Sequence, residues 1–319
     1  MPTWSGILAE LAESGKSSGT GRPDCDGIRR KYLAHLSKHT GRPVILYATK
    51  FTQAGHNVPP AWITVNEEDL QGLMEVMHGL SGPNLDLILH SPGGSIEAAE
   101  AFVVYVRSKF SNVRVIVPQL AMSAAAMIAC SANSIEMGKH SFLGPIDPQF
   151  ILETPLGVRS VPAEAIREQF ELAKTECGDA SRLAAWLPML GQYGPDLLIQ
   201  CKDASDLSRK LVQGWLKSYM FKEQTNAAAK ARKISGWLCK HGLFKSHGRH
   251  LPRAILKSHG LKVEFLERDE VFQDLVLSVF HATTHTFMIT PAVKIMENQD
   301  GKAFIKLFSF PQAEAQPTQ

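Results

Sequence analysis

The chain reads as an α/β protein with a largely parallel sheet and a C-terminal helical region. Three observations predict this class. Short apolar runs alternate with amphipathic stretches between residues 43 and 137. Serine- and glycine-marked junctions follow two of those runs. A content of 44% hydrophobic and 20% charged residues suits a buried core and excludes disordered, collagenous and coiled-coil classes.

The elements follow in order. PVILYATK, at 43 to 50, is a short apolar run of strand type, and Asn66 followed by Glu67, Glu68 and Asp69 predicts a capped helix start with acids in its first turn. LDLILH, at 85 to 90, is a second strand. Ala98, Ala99, Phe102, Val103 and Val106 recur at helical spacing between Ser95 and Lys109. VRVIVPQ forms a third strand, AMSAAAMIACSA a small-residue helix and SIEMG a fourth strand. Strand–helix alternation of this kind implies right-handed crossovers and helices on the sheet faces. Beyond Pro162 the pattern is helical: PAEAIREQFELAKTEC with proline at its opening, ASRLAAWLPMLGQY, and a basic segment. GLKVEF and the helix DEVFQDLVLSVFHATTHTF follow.

These readings divide the chain into an N-terminal segment 1–25, an α/β core 26–205 and a basic helical arm 206–262. A strand and helix packing on the core over 263–310 and a disordered tail 311–319 complete it. The arm carries thirteen Lys or Arg against Asp206 and Glu223, so the remainder is net acidic although the whole chain is only +3. A solvated helical face held by Trp215, Trp237 and Leu238 accounts for this pattern. A nucleic-acid surface there is possible but not favoured. No apolar run spans a bilayer, and the first residues lack a basic stretch followed by an apolar run, so a cytoplasmic protein is expected. Five widely spaced cysteines without a C-x-x-C pair are expected as reduced thiols, and no metal site or other cofactor is expected.

Two junctions carry the chemistry. In HSPGGSIEA a strand enters Pro92-Gly93-Gly94 and then a helix, so unencumbered N–H groups meet a helix N-terminus, as an oxyanion or phosphate cradle requires. A plain tight turn is the competing reading. In VIVPQLAMSAAAMIACSA, Ser123 stands near a helix start, either as an N-cap or with its hydroxyl facing a cleft. Consecutive parallel strands bring both junctions to one sheet edge, where open α/β sheets bind ligands.

Ser91-Pro92-Gly93-Gly94, then Ala121-Met122-Ser123-Ala124-Ala125, then MGKHSFLGPIDPQ at 137 to 149 resemble the Clp-peptidase and crotonase superfold. Within it they resemble the signal-peptide-peptidase-like serine dehydrogenase proteinase family. The resemblance covers about 26 to 175 and extends more weakly to about 300 through KSHGRHLPRAILKSHGLKV and KIMENQDG. It implies a serine peptidase with Ser123 as nucleophile and an oxyanion hole made by the N–H groups of Gly94 and Ala124. It also implies a homo-oligomer, peptide or unfolded protein as substrate, and a separate substrate-delivering partner, since no P-loop motif is present.

The base departs from the better-known relatives. Gly144-Pro145-Ile146-Asp147-Pro148 stands where the Clp peptidases place a histidine, and PAEAI stands where the signal-peptide peptidases place a lysine. Candidates are Asp147, acting directly or through a histidine; His247, which matches a histidine of the family's C-terminal pattern; and, more weakly, Lys139 and His140. Two other readings use the same features: a non-catalytic scaffold whose basic helices recruit a partner, and a crotonase-like acyl-CoA enzyme in which the two donors hold a thioester oxygen.

Overall fold

The computed structural model describes residues 3–17, 19, 21–53, 58–154 and 157–309; the expected tail at 311–319 lies outside them. Its strands are β1 (Val44–Thr49), β2 (Asn84–His90), β3 (Asn112–Val117), β4 (Leu120–Ala121), β5 (Ser134–Met137), β6 (Phe142–Leu143), β7 (Gln149–Thr154), β8 (Gly157–Pro162), β9 (Leu251–Pro252), β10 (Val263–Phe265), β11 (Ala292–Asn298) and β12 (Ala303–Leu307). The central sheet runs β10-β5-β3-β2-β1-β11-β12, parallel from β10 to β1 with β11 and β12 antiparallel at one edge.

Strand residues alternate between two apolar layers. Ile45, Tyr47, Leu87, Leu89, Val115 and Val117 face a core shared with the helices Asp69–Met77, Ile96–Lys109 and Ala124–Cys130. Val44, Leu46, Ile88 and Ile116 face the helices Trp4–Ser17, Cys25–Thr40 and Glu270–Ile289. Helices thus cover both faces, as an all-buried parallel sheet needs.

Several expectations change. The regular helix begins at Asp69 rather than Asn66; a tight turn leads into it, with Asp69 N–H donating to Asn66 O at 3.1 Å and the Asp69 carboxylate accepting the Asn66 N–H at 3.0 Å, the reciprocal bond of a capping box. The basic segment 206–262 packs on the core, with Trp215, Trp237 and Leu238 among the residues that hold it. Val212, Leu216, Phe221, Ile234 and Leu238 are buried in the first core, and the helix Leu197–Trp215 crosses the expected boundary at 205/206. The C-terminal strands are members of the central sheet itself. All five cysteines are free, and among the described residues no helix is long and apolar enough to cross a membrane.

Two small sheets stand apart from the central one. β7 and β8 form a hairpin, and β4-β6-β9 form a three-stranded sheet of two-residue strands. The latter gathers the site: β4 leads into Ser123, β6 into Asp147, and His247 lies in the turn before β9.

Candidate active site

Ser123 sits at φ +50° and ψ −123°, with Ala125 N–H bonded to Met122 O at 2.9 Å. These are the dihedrals of the first central position of a type II′ turn, which glycine ordinarily fills. A serine held there stores backbone strain of about 1–3 kcal/mol, and such outliers concentrate at functional sites. Its side chain makes no capping bond to the helix Ala124–Cys130, so the N-cap reading is withdrawn. Instead Ser123, half-buried, lines a hollow of about 380 Å³ with Gly93, Gly94, Met127, Ile146, Phe150, Ala204 and His247.

The glycine turn is fixed against two neighbours. Ser91 and Ala121 form a bridge, with Ser91 N–H donating to Leu120 O at 3.1 Å and Met122 N–H to Ser91 O at 3.0 Å. This stitches the glycine turn to the serine turn. Gly93 has φ +93°, and a methyl group there would stand 2.7 Å from both Ala124 N and Ser123 Cβ, so the two turns touch. On the other side Val65 N–H donates to Gly93 O at 2.7 Å, and Ser95 N–H donates to Val65 O at 3.0 Å. A parallel bridge of this form uses the groups flanking Gly94 and turns the Gly94 N–H away from Val65. Neither it nor the Ala124 N–H, at the first position of its helix, donates to another described residue's backbone. Both residues expected to hold an oxyanion therefore carry uncommitted donors beside Ser123.

Asp147 is 2% exposed. Its Oδ1 lies 2.8 Å from His247 Nδ1, its Oδ2 lies 2.8 Å from His241 Nδ1, and Gln149 Nε2 donates to Oδ2 at 3.0 Å. Three donors compensate a buried carboxylate that would otherwise be costly. Because the carboxylate accepts, His247 carries its proton on Nδ1 and leaves Nε2 free to accept another. Ser123 and His247 share the hollow without a hydrogen bond between them among the described residues. The segment bearing both histidines is pinned by Gly242 N–H donating to Glu164 Oε2 at 3.2 Å.

The other candidates lie apart. Lys139 and His140 are exposed in the turn after β5, where the Lys139 N–H is taken by Glu267, and neither lines the hollow. His90 packs between Phe51 and Phe280, and burial drives its pKa down to about 3. Cys239, near Asp147, and Cys130 are both pushed up to about 12, first by burial, so they are neutral thiols. Reasoning from sequence missed His241 and Gln149; the run of histidines at His241, His247 and His250 was the available signal. His250 itself stacks on Phe142. No metal-binding group of His, Cys, Asp or Glu occurs among the described residues.

A strained serine turn stitched to a glycine turn, each opening a helix, on a mostly parallel sheet, fits the Clp-peptidase and crotonase-like fold class. Residues 27–176, just under half of the chain, match the family described as ClpP-like SDH-type serine proteinase. Two uncharacterized proteins of Methanocaldococcus jannaschii are also similar. One is 32% identical over 122 residues, 38% of this chain and 43% of the relative. The other is 35% identical over 86 residues, 27% of each. The matches span less than half the length of either relative.

Proposed function

We propose that the chain is a serine peptidase that cleaves peptide bonds through an acyl-enzyme on Ser123. The observation that carries this reading is the single hollow shared by Ser123, the Gly93-Gly94 turn and an Asp147-bound His247. Ser123 Oγ attacks the scissile carbonyl carbon as His247 Nε2 takes the hydroxyl proton. The carbonyl oxygen, now negative, accepts the N–H groups of Gly94 and Ala124. Collapse breaks the C–N bond, and His247 returns its proton to the leaving amine. Water then attacks the ester by the same exchange, releasing the acid. Asp147 holds His247 in the required tautomer. Catalytic hydrogen bonds commonly tighten only with substrate bound, which is consistent with the open Ser123–His247 pair.

The hollow's apolar lining of Met127, Ile146, Phe150 and Ala204 suits an apolar side chain of an unfolded segment. A homo-oligomer belongs to the same reading. The helix Ala180–Leu190 has no buried residue, and Ile151, Val158 and Leu187 are 73%, 69% and 57% exposed, so a second copy would cover apolar surface near the β7–β8 hairpin.

The test is hydrolysis of an unfolded protein such as casein. The wild type should release new amino termini and Ser123→Ala should not. Equal release by both would remove the proposal.

A further inference from the structure

Deep in the sheet, on β11, the Lys294 side chain is fully buried and pairs with Asp69, itself 2% exposed as a side chain. Burial pulls the lysine below its ordinary pKa, against the opposing pull of Asp69. A buried ion pair contributes little to stability, since an apolar pair of like volume often does as well. What distinguishes this one is where its remaining bonds go. Lys294 Nζ donates to Thr64 O at 2.8 Å. Asp69 Oδ2 accepts the Asn66 N–H at 3.0 Å and the Tyr47 hydroxyl at 2.7 Å. Thr64 and Asn66 flank Val65, whose own N–H and C=O hold Gly93 and Ser95 on either side of Gly94.

We propose that Lys294 and Asp69 are positioning residues that set the oxyanion turn through the Thr64–Asn66 segment. This rests on the serine-peptidase reading of the same site. Neither residue touches the reacting atoms. The pair grips both flanks of Val65, and Val65 sets where the Gly94 N–H lies relative to Ser123. The lysine comes from a strand outside the family-matched segment 27–176, so the C-terminal part of the chain completes the site from beneath. An oxyanion donor displaced by a fraction of an ångström is weakened in the transition state more than in the ground state, so the effect falls on kcat rather than KM.

The experiment compares Lys294→Met, Lys294→Gln and the charge-free pair Lys294→Met with Asp69→Asn. The pair leaves no buried ion unpartnered and so separates positioning from folding. In the paired variant kcat should fall about 10- to 100-fold with KM within about twofold, and labelling by a fluorophosphonate should slow in parallel, because the phosphoryl oxygen occupies the same donors. Lys294→Gln keeps a donor for Thr64 O and should retain more kcat than Lys294→Met, whatever their melting temperatures. Should the paired variant not fold, this ordering of the two single variants decides. A folded paired variant with wild-type kcat, or equal kcat in Gln and Met, overturns the inference. A wild type that a fluorophosphonate does not label at Ser123 overturns the peptidase reading and this inference with it. A labelled wild type with unaffected variants overturns the inference alone.

Discussion

Replacing Gly94 by alanine tests the oxyanion turn at its tightest point. A methyl group there would stand 2.5 Å from Val65 N and 2.9 Å from Val65 C, and nearer still to the Val65 carbonyl oxygen. The three nearest atoms are all Val65 backbone, which cannot swing aside as a side chain would. Restoring van der Waals separation, about 3.5 Å, requires the two segments to part by about 1 Å. A displacement of that size costs on the order of 100-fold in rate, and loss of one oxyanion donor about 100- to 1000-fold in kcat. Weakening the two bonds between Val65 and the turn costs a further 1–3 kcal/mol or so of stability. Gly82→Ala is the control: its φ is +86° and its added methyl meets nothing within 4 Å, so only backbone strain of about 1–2 kcal/mol is added, far from the site. Steady-state hydrolysis of a fluorogenic peptide, with thermal melts of both variants, reads the outcome. Gly94→Ala with wild-type kcat, or Gly82→Ala with an equal loss, would refute the geometric reasoning.

Three further outcomes are expected. His247→Ala should lower kcat about 100- to 10,000-fold, and Asp147→Asn should approach it with little change in KM, measured with the same peptide. His241→Phe removes one of three donors to Asp147 and should lower kcat about tenfold at unchanged KM; a wild-type rate would leave His241 purely structural. Burial holds the His90 pKa at about 3, below its unfolded value near 6.5, so the unfolded chain binds the extra proton. The stability His90 contributes is therefore complete above pH 6.5 and lost as pH falls toward 3. The slope is up to about 1.4 kcal/mol per pH unit, which urea melts of His90→Leu should show flattened.

The strands at 43–50, 85–90 and 113–119 were legible as continuous apolar runs, and the helix after Ser95 by its helical spacing and the serine at its start. Ser95 does cap its helix, accepting the Ala98 N–H at 3.0 Å. The sheet β4-β6-β9 was not legible, because two-residue strands have no period, yet it is what brings Ser123, Asp147 and His247 to one place. β11 escaped for a different reason: Lys294 and Glu297 are buried by ion pairs, so charges stand where a strand pattern expects apolar residues. Ser123 itself was readable as a residue at a helix start, but not as the strained centre of a II′ turn. That distinction lives in φ and ψ and not in residue type. His247 was reached through the family's C-terminal pattern, since nothing local ties a turn histidine to a carboxylate a hundred residues earlier.

The most direct measurement is peptide mapping of the protein after reaction with a fluorophosphonate, carried out on wild type, Ser123→Ala and His247→Ala. A hydroxyl activated by an Asp147-held imidazole predicts one adduct, on Ser123, absent from the first variant and formed far more slowly in the second. An adduct on any other residue, or equal labelling in all three, would contradict it.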